Sequence, residues 1–132
     1  MTPCAEGLRE RLEYRSHGVA GYADRSLVER DGAILRLIYT FEAVWKACRQ
    51  LLAEREGVEV ASPNATIRAA RRLGWLSDED AQAAIKAGRD RNLTVHMYRR
   101  EIGAQIAQRL AAHAAVLRRW LEALQQRAAA SE

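Results

Sequence analysis

Two long apolar stripes at helical spacing leave this chain little choice of architecture. In the first, Ile34, Ile38, Phe41, Trp45, Cys48 and Leu52 recur at intervals of four and three, and Leu37, Val44 and Leu51 widen the face. Arg36, Glu42, Lys46, Arg49 and Gln50 take the opposite side, where Glu42 and Lys46 form an i,i+4 pair in the favoured order. In the second, Ile102, Ile106, Leu110, Leu117, Leu121 and Leu124 mark one face of a helix from about Arg99 to Arg127. A helix from Leu27 to Glu56 is about 45 Å long at ~1.5 Å per residue. Such a rod needs a partner to bury its stripe, so the spacing predicts a bundle built on two long helices. The 132 residues suit one domain with one core.

Glycine and proline punctuate the rest. Residues from about Ala5 to Tyr14 can form a short helix with Leu8 and Leu12 on one side, and Gly18 and Gly21 make His17 to Asp24 a loop. Gly57 ends the first long helix. Ser62 followed by Pro63 is an N-cap with proline at the first helical position. Ile67, Ala70 and Leu73 give that helix a face, and Gly74 stops it. Ser77 with Asp80 resembles a capping box, with Asp78 and Glu79 favourable near the dipole. Ala81, Ala84 and Ile85 give a weak face that Gly88 loosens. Residues 128–132 are expected to fray. The prediction is an all-α bundle of four or five helices. Residues 1–26 are expected to form a short N-terminal helix and loop, and 27–127 the bundle.

Composition narrows the partners. Nearly half the residues are apolar and 29% are charged, which is a globular profile. No stretch approaches the roughly 18 apolar residues of a membrane span, and no signal peptide is expected. Cys4 and Cys48 are the only cysteines, with no metal-ligand spacing, and Cys48 falls on the apolar face. A cytoplasmic location is expected, with no membrane partner, no cofactor and no metal. The net charge of +4 permits an anionic partner such as RNA or a nucleotide. Only Lys46 and Lys86 are lysine among 21 basic residues, an arginine preference that a GC-rich genome also produces.

Chemistry concentrates between the two helical patterns, in Arg91-Asn92-Leu93-Thr94-Val95-His96-Met97-Tyr98. A histidine moves a proton near neutral pH. An arginine holds a phosphate bidentately. A tyrosine hydroxyl can accept a transferred group. Against this stands a plain alternative, a histidine hydrogen-bonded to backbone at a helix terminus. Position favours function, because a loop between rigid helices is where a scaffold presents groups. His113 reads as a packing or interface histidine in the seam between Leu110 and Leu117, and His17 as solvent-facing. Trp45 and Trp120 read as core or interface anchors. Arg68, Arg71 and Arg72 are a solvated face or a phosphate contact. A glycine-rich phosphate loop, a Gly-x-Ser-x-Gly and the Gly-Ser with spaced aspartates of a nucleotidyltransferase are all missing from the sequence.

Arg91-Asn92-x-Thr94-x-His96-x-Tyr98 resembles the Arg-x4-His-x-Tyr signature of HEPN-domain proteins, in the branch of nucleotidyltransferase substrate-binding proteins. Arg30-Asp31, Arg36, Thr40, Phe41-Glu42, Trp45-Lys46, Ser62-Pro63, Ile67-Arg68, Ala70 and Gly74 fit the branch in order. The sequence departs from it at Leu37-Ile38, where Phe-Glu is frequent, at Val95, where serine is frequent, and in a shorter N-terminal segment. The resemblance implies an antiparallel, HEPN-like four- to five-helix bundle that forms a homodimer, in which the motifs of two subunits face one cleft. It implies a toxin of a toxin–antitoxin pair that cleaves RNA without metal, with Arg91 and His96 catalytic. Asn92 and Thr94 would bind phosphate or orient the loop. A cognate minimal nucleotidyltransferase would neutralise it by adenylylating Tyr98. The alternative that the resemblance carries is a non-catalytic nucleotide- or substrate-binding subunit of a two-chain nucleotidyltransferase.

Overall fold

The computed structural model describes residues 27–130. The expected helix over Ala5 to Tyr14, the loop from His17 to Asp24, and Cys4 lie outside them. In order along the chain come α1 (Leu27–Glu56), α2 (Pro63–Arg72), α3 (Asp78–Leu93), a 3-10 turn (Thr94–His96) and α4 (Arg100–Ala130). Among the described residues there is no strand. The all-α bundle expected from the stripes is the fold observed.

The two long helices pack side by side. α1 buries Ala33, Ile34, Leu37, Thr40, Phe41, Val44, Trp45, Cys48 and Leu52. α4 buries a face from Gly103 through Ile106, Leu110, Leu117, Trp120 and Leu124 to Ala128. Phe41 meets Trp120 edge-on, with ring centroids 6.4 Å apart at 67°, a favoured aromatic geometry. Near their starts, Arg30 of α1 lies against Gly103 of α4. Near their ends, Arg55 Nη2 donates to the Ala128 carbonyl at 3.2 Å. α1 and α4 therefore run parallel, and α3 is the return arm. Two ion pairs place α3 antiparallel to α4, Asp80 with Arg119 and Asp90 with Arg109.

The caps follow the local chemistry. The Ser62 hydroxyl accepts from the Ala65 N–H at 3.2 Å, with Pro63 opening α2. α2 closes with Trp75 N–H donating to the Ala70 carbonyl at 2.8 Å and Gly74 N–H to Arg71 at 3.1 Å, the paired bonds of a Schellman end. Gly74 stands at φ 77°, a conformation glycine adopts without a Cβ penalty. The Ser77 hydroxyl accepts from the Asp80 N–H at 3.0 Å. The Asp80 carboxylate accepts from Arg119 Nε at 2.9 Å, so the second half of the expected box serves a tertiary contact instead.

Two local expectations need correction. Gly88 does not loosen α3, which continues unbroken to Leu93. A Cβ there would stand 2.9 Å from Phe41 Cζ, so the glycine makes room for the ring. α4 runs to Ala130, with Arg55 holding the Ala128 carbonyl, and residues 131–132 of the expected tail lie outside the described residues. Leu73 does not join the α2 face; it caps the helix and is 38% exposed. No helix among the described residues is long and apolar enough to cross a membrane.

Candidate functional site

Arg91 and Asn92 sit in the last turn of α3 and not in a loop, since helical hydrogen bonding persists to Leu93. Thr94 then caps the helix, and its hydroxyl donates to the Arg91 carbonyl at 2.6 Å. That bond uses the Thr94 hydroxyl to shape the turn. Met97 N–H donates to Thr94 at 3.1 Å and Arg99 N–H to His96 at 3.0 Å, which carries the chain into α4. His96 and Tyr98 project from this turn. Both are exposed, Tyr98 at 78%, and their rings lie 6.4 Å apart.

A cleft of about 740 Å³ opens between α1, the start of α2 and α3. Among the described residues, Lys46, Arg49, Arg89 and Arg91 stand in its wall beside a single acid, Glu42. Glu42 is shared. Its Oε1 lies 2.9 Å from Arg91 Nη2 and its Oε2 3.4 Å from Lys46 Nζ. The Arg49 guanidinium lies 5.0 Å from the centre of the Trp45 ring, within cation–π reach. Ser62 and Asn64 bring the N-terminal end of α2 to the rim, where the helix dipole favours negative charge. Phe41, Trp45 and Ile85 supply an apolar floor. Four cations against one carboxylate, over a floor with aromatic rings, can hold an anion attached to a flat apolar group. The Arg91 Nε is buried without a hydrogen-bond partner among the described residues.

The sequence-predicted site residues divide into two sets. Arg91 and Asn92 both line the cleft. His96 and Tyr98 are neighbours on the turn but are not part of the cleft wall, and neither is Thr94. One chain therefore does not gather all five around one cavity. Arg68, Arg71 and Arg72 are exposed, and Arg71 Nε pairs with Asp78 at 2.8 Å, which makes them a solvated face.

Sequence reasoning missed a second charged cluster. Asp90 is 4% exposed and accepts from Arg109 twice, at 2.7 and 2.9 Å. His113 Nε2 lies 2.6 Å from Asp90 Oδ2. An ionised carboxylate only accepts, so the ring proton belongs on Nε2. Burial pushes the Asp90 carboxyl up, but the hydrogen bonds and charges of Arg109 and His113 outweigh it and hold it below the usual carboxylate value. Arg109 is pushed up in return by the same hydrogen bonds. The available signal was register. Asp90 follows Ala87 by three on the buried face of α3, and His113 follows Leu110 by three on that of α4.

The family model described as nucleotidyltransferase substrate binding protein like matches residues 5–126. A protein from Thermus thermophilus, known from a crystal structure, is similar to this chain at 43% sequence identity and a TM-score of 0.80. The match covers 92% of this chain and 98% of that one. No curated protein matches the chain.

Proposed function

This chain belongs to the nucleotidyltransferase substrate-binding-protein-like family, a helical HEPN-like family, and we propose that it is the nucleotide- or substrate-binding subunit of a two-chain nucleotidyltransferase. The observation that carries this reading is the cleft between α1, α2 and α3, with four cations and one acid. Arg91 is the principal phosphate ligand. In the free protein its guanidinium rests on Glu42. An incoming phosphate carries more charge than a carboxylate and offers bidentate acceptors, so it competes for the same face. Glu42 then remains neutralised by Lys46, which already lies beside it. Asn92 and Asn64 add neutral donors at the rim. The transfer step belongs to a separate minimal nucleotidyltransferase, which supplies the metal-binding aspartates that this sequence lacks.

Calorimetric titration with ATP tests the reading. Wild-type protein is expected to bind, and Arg91→Ala to bind at least about tenfold more weakly, the loss of one charge-assisted contact. Unchanged affinity in Arg91→Ala would overturn it.

A second reading keeps its own observation, the exposure of Tyr98 beside His96. It is the ribonuclease toxin, in which His96 moves the 2′-hydroxyl or leaving-group proton and Arg91 stabilises the phosphoryl charge. A homodimer would bring two motifs to one RNA, and AMP on Tyr98 would block it by bulk and like charge. Metal-free RNA cleavage by purified wild type, absent in His96→Ala, would favour this reading over the binding subunit.

A further inference from the structure

The opposite side of α3 carries a second groove, of about 570 Å³, between α3 and α4. Its charged wall is Lys86 and Arg89 from α3 and Arg109 from α4, with Asp90 and His113 beneath. Among the described residues, Asp90 is the only acid in the lining, and its two oxygens are already taken by Arg109 and His113. Its charge is therefore spent inside the protein. Among the described residues, neither Lys86 nor Arg89 has an acid within ion-pair distance. The first cleft contrasts with this, because its Lys46 and Arg91 both rest on Glu42. Both lysines of the chain thus stand in a cleft, one on each side of α3, and among the described residues only Lys86 is without a counter-charge. The remaining wall is apolar, with Leu93 and Ala112 among it.

We propose that this groove is a second anion site, taking the phosphate of a small phosphomonoester whose uncharged body lies along Leu93 and Ala112. Lys86 and Arg89 are its free cations. Arg109 contributes the part of its guanidinium not committed to Asp90. A phosphomonoester is near −2 at neutral pH, which two unpaired cations balance. The buried Asp90–His113 pair keeps Arg109 aimed along the groove, and so acts as a positioning group. Arg89 lines both clefts, so the two sites share one cation and are not fully independent.

The test is a phenyl phosphate titration of isotope-labelled full-length protein, followed by amide NMR shifts. The amides of Lys86, Leu93 and Ala112 report the groove, and that of Asn64 reports the first cleft. Saturable shifts at Lys86, Leu93 and Ala112 are expected. Lys86→Glu should weaken them at least about tenfold while leaving the Asn64 curve in place. Lys46→Glu should do the reverse, and Arg89→Ala should weaken both. Absence of shifts in the groove, an unchanged groove affinity in Lys86→Glu, or loss of the groove curve in Lys46→Glu would each overturn the proposal. Shifts in the groove with none at Asn64 would leave this site standing while the phosphate reading of the first cleft falls.

Discussion

An ionised carboxylate survives inside a helical bundle only when its charge is met, and at Asp90 it is met by two partners on α4. Removing one side of such a pair leaves the other charge uncompensated, which costs about 3–5 kcal/mol in a fully buried setting. Arg109 is 44% exposed and can turn to water, so Asp90→Asn is expected to cost about 2–3 kcal/mol. The sign with pH is fixed by the depressed carboxyl. Its contribution is complete above the unfolded aspartate value, near 3.9. It is lost as pH falls through the lower folded value. Urea denaturation at pH 7 and at pH 3 should therefore show a wide gap between wild type and Asp90→Asn that narrows in acid. A gap that stays constant would mean that the loss does not come from the ionised carboxylate.

At the scale of elements, what the sequence disclosed was faces and ends. The spacing of Ile34, Phe41, Trp45 and Cys48 located the buried side of α1, and Ser62-Pro63, Gly74 and Ser77 located three helix ends, because each acts through atoms a few residues away. The partners stayed hidden. Glu42 meets Arg91, and Asp90 meets Arg109 and His113, across separations that no local pattern encodes. Gly88 shows the same limit. Read locally it weakens a helix by about 1 kcal/mol relative to alanine, but its role is to admit Phe41. The two glycines of α1 and α3 should then respond oppositely to alanine. Gly32 has open space around its missing Cβ, so Gly32→Ala should stabilise by about 0.5–1 kcal/mol. At Gly88 the neighbour is a ring fixed against Trp120, so Gly88→Ala should cost about 1–2 kcal/mol net through overpacking. Thermal melts of both variants check the pair, and a stabilised Gly88→Ala would show that Phe41 has room to move.

The whole molecule is organised by one continuous core shared by all four helices, and Cys48 reports on it. Its thiol is fully buried, and burial pushes it up to about 12. At neutral pH it is a protonated core atom, and the reactive species is the thiolate. A thiol reagent should label Cys48 only as fast as the core opens, with the rate rising in step with urea and unchanged by moderate alkali. Labelling in native buffer at the speed of a free thiol would mean that the bundle breathes far more than its packing implies. The identity of the fold lay open in the stripes. The candidate cleft did not, because it arises only where three helices meet.

Asp90 and Arg91 are consecutive residues tied to different helices, one to α4 and the other to α1. Opposite charges thus pull the last turn of α3 in two directions at once, and the turn can roll neither way without breaking a clasp. The motif segment is a fixed jaw and not a hinge. On the binding-subunit reading proposed above, a ligand would meet an arginine whose backbone is already fixed, so that binding exchanges its Glu42 contact without ordering the segment.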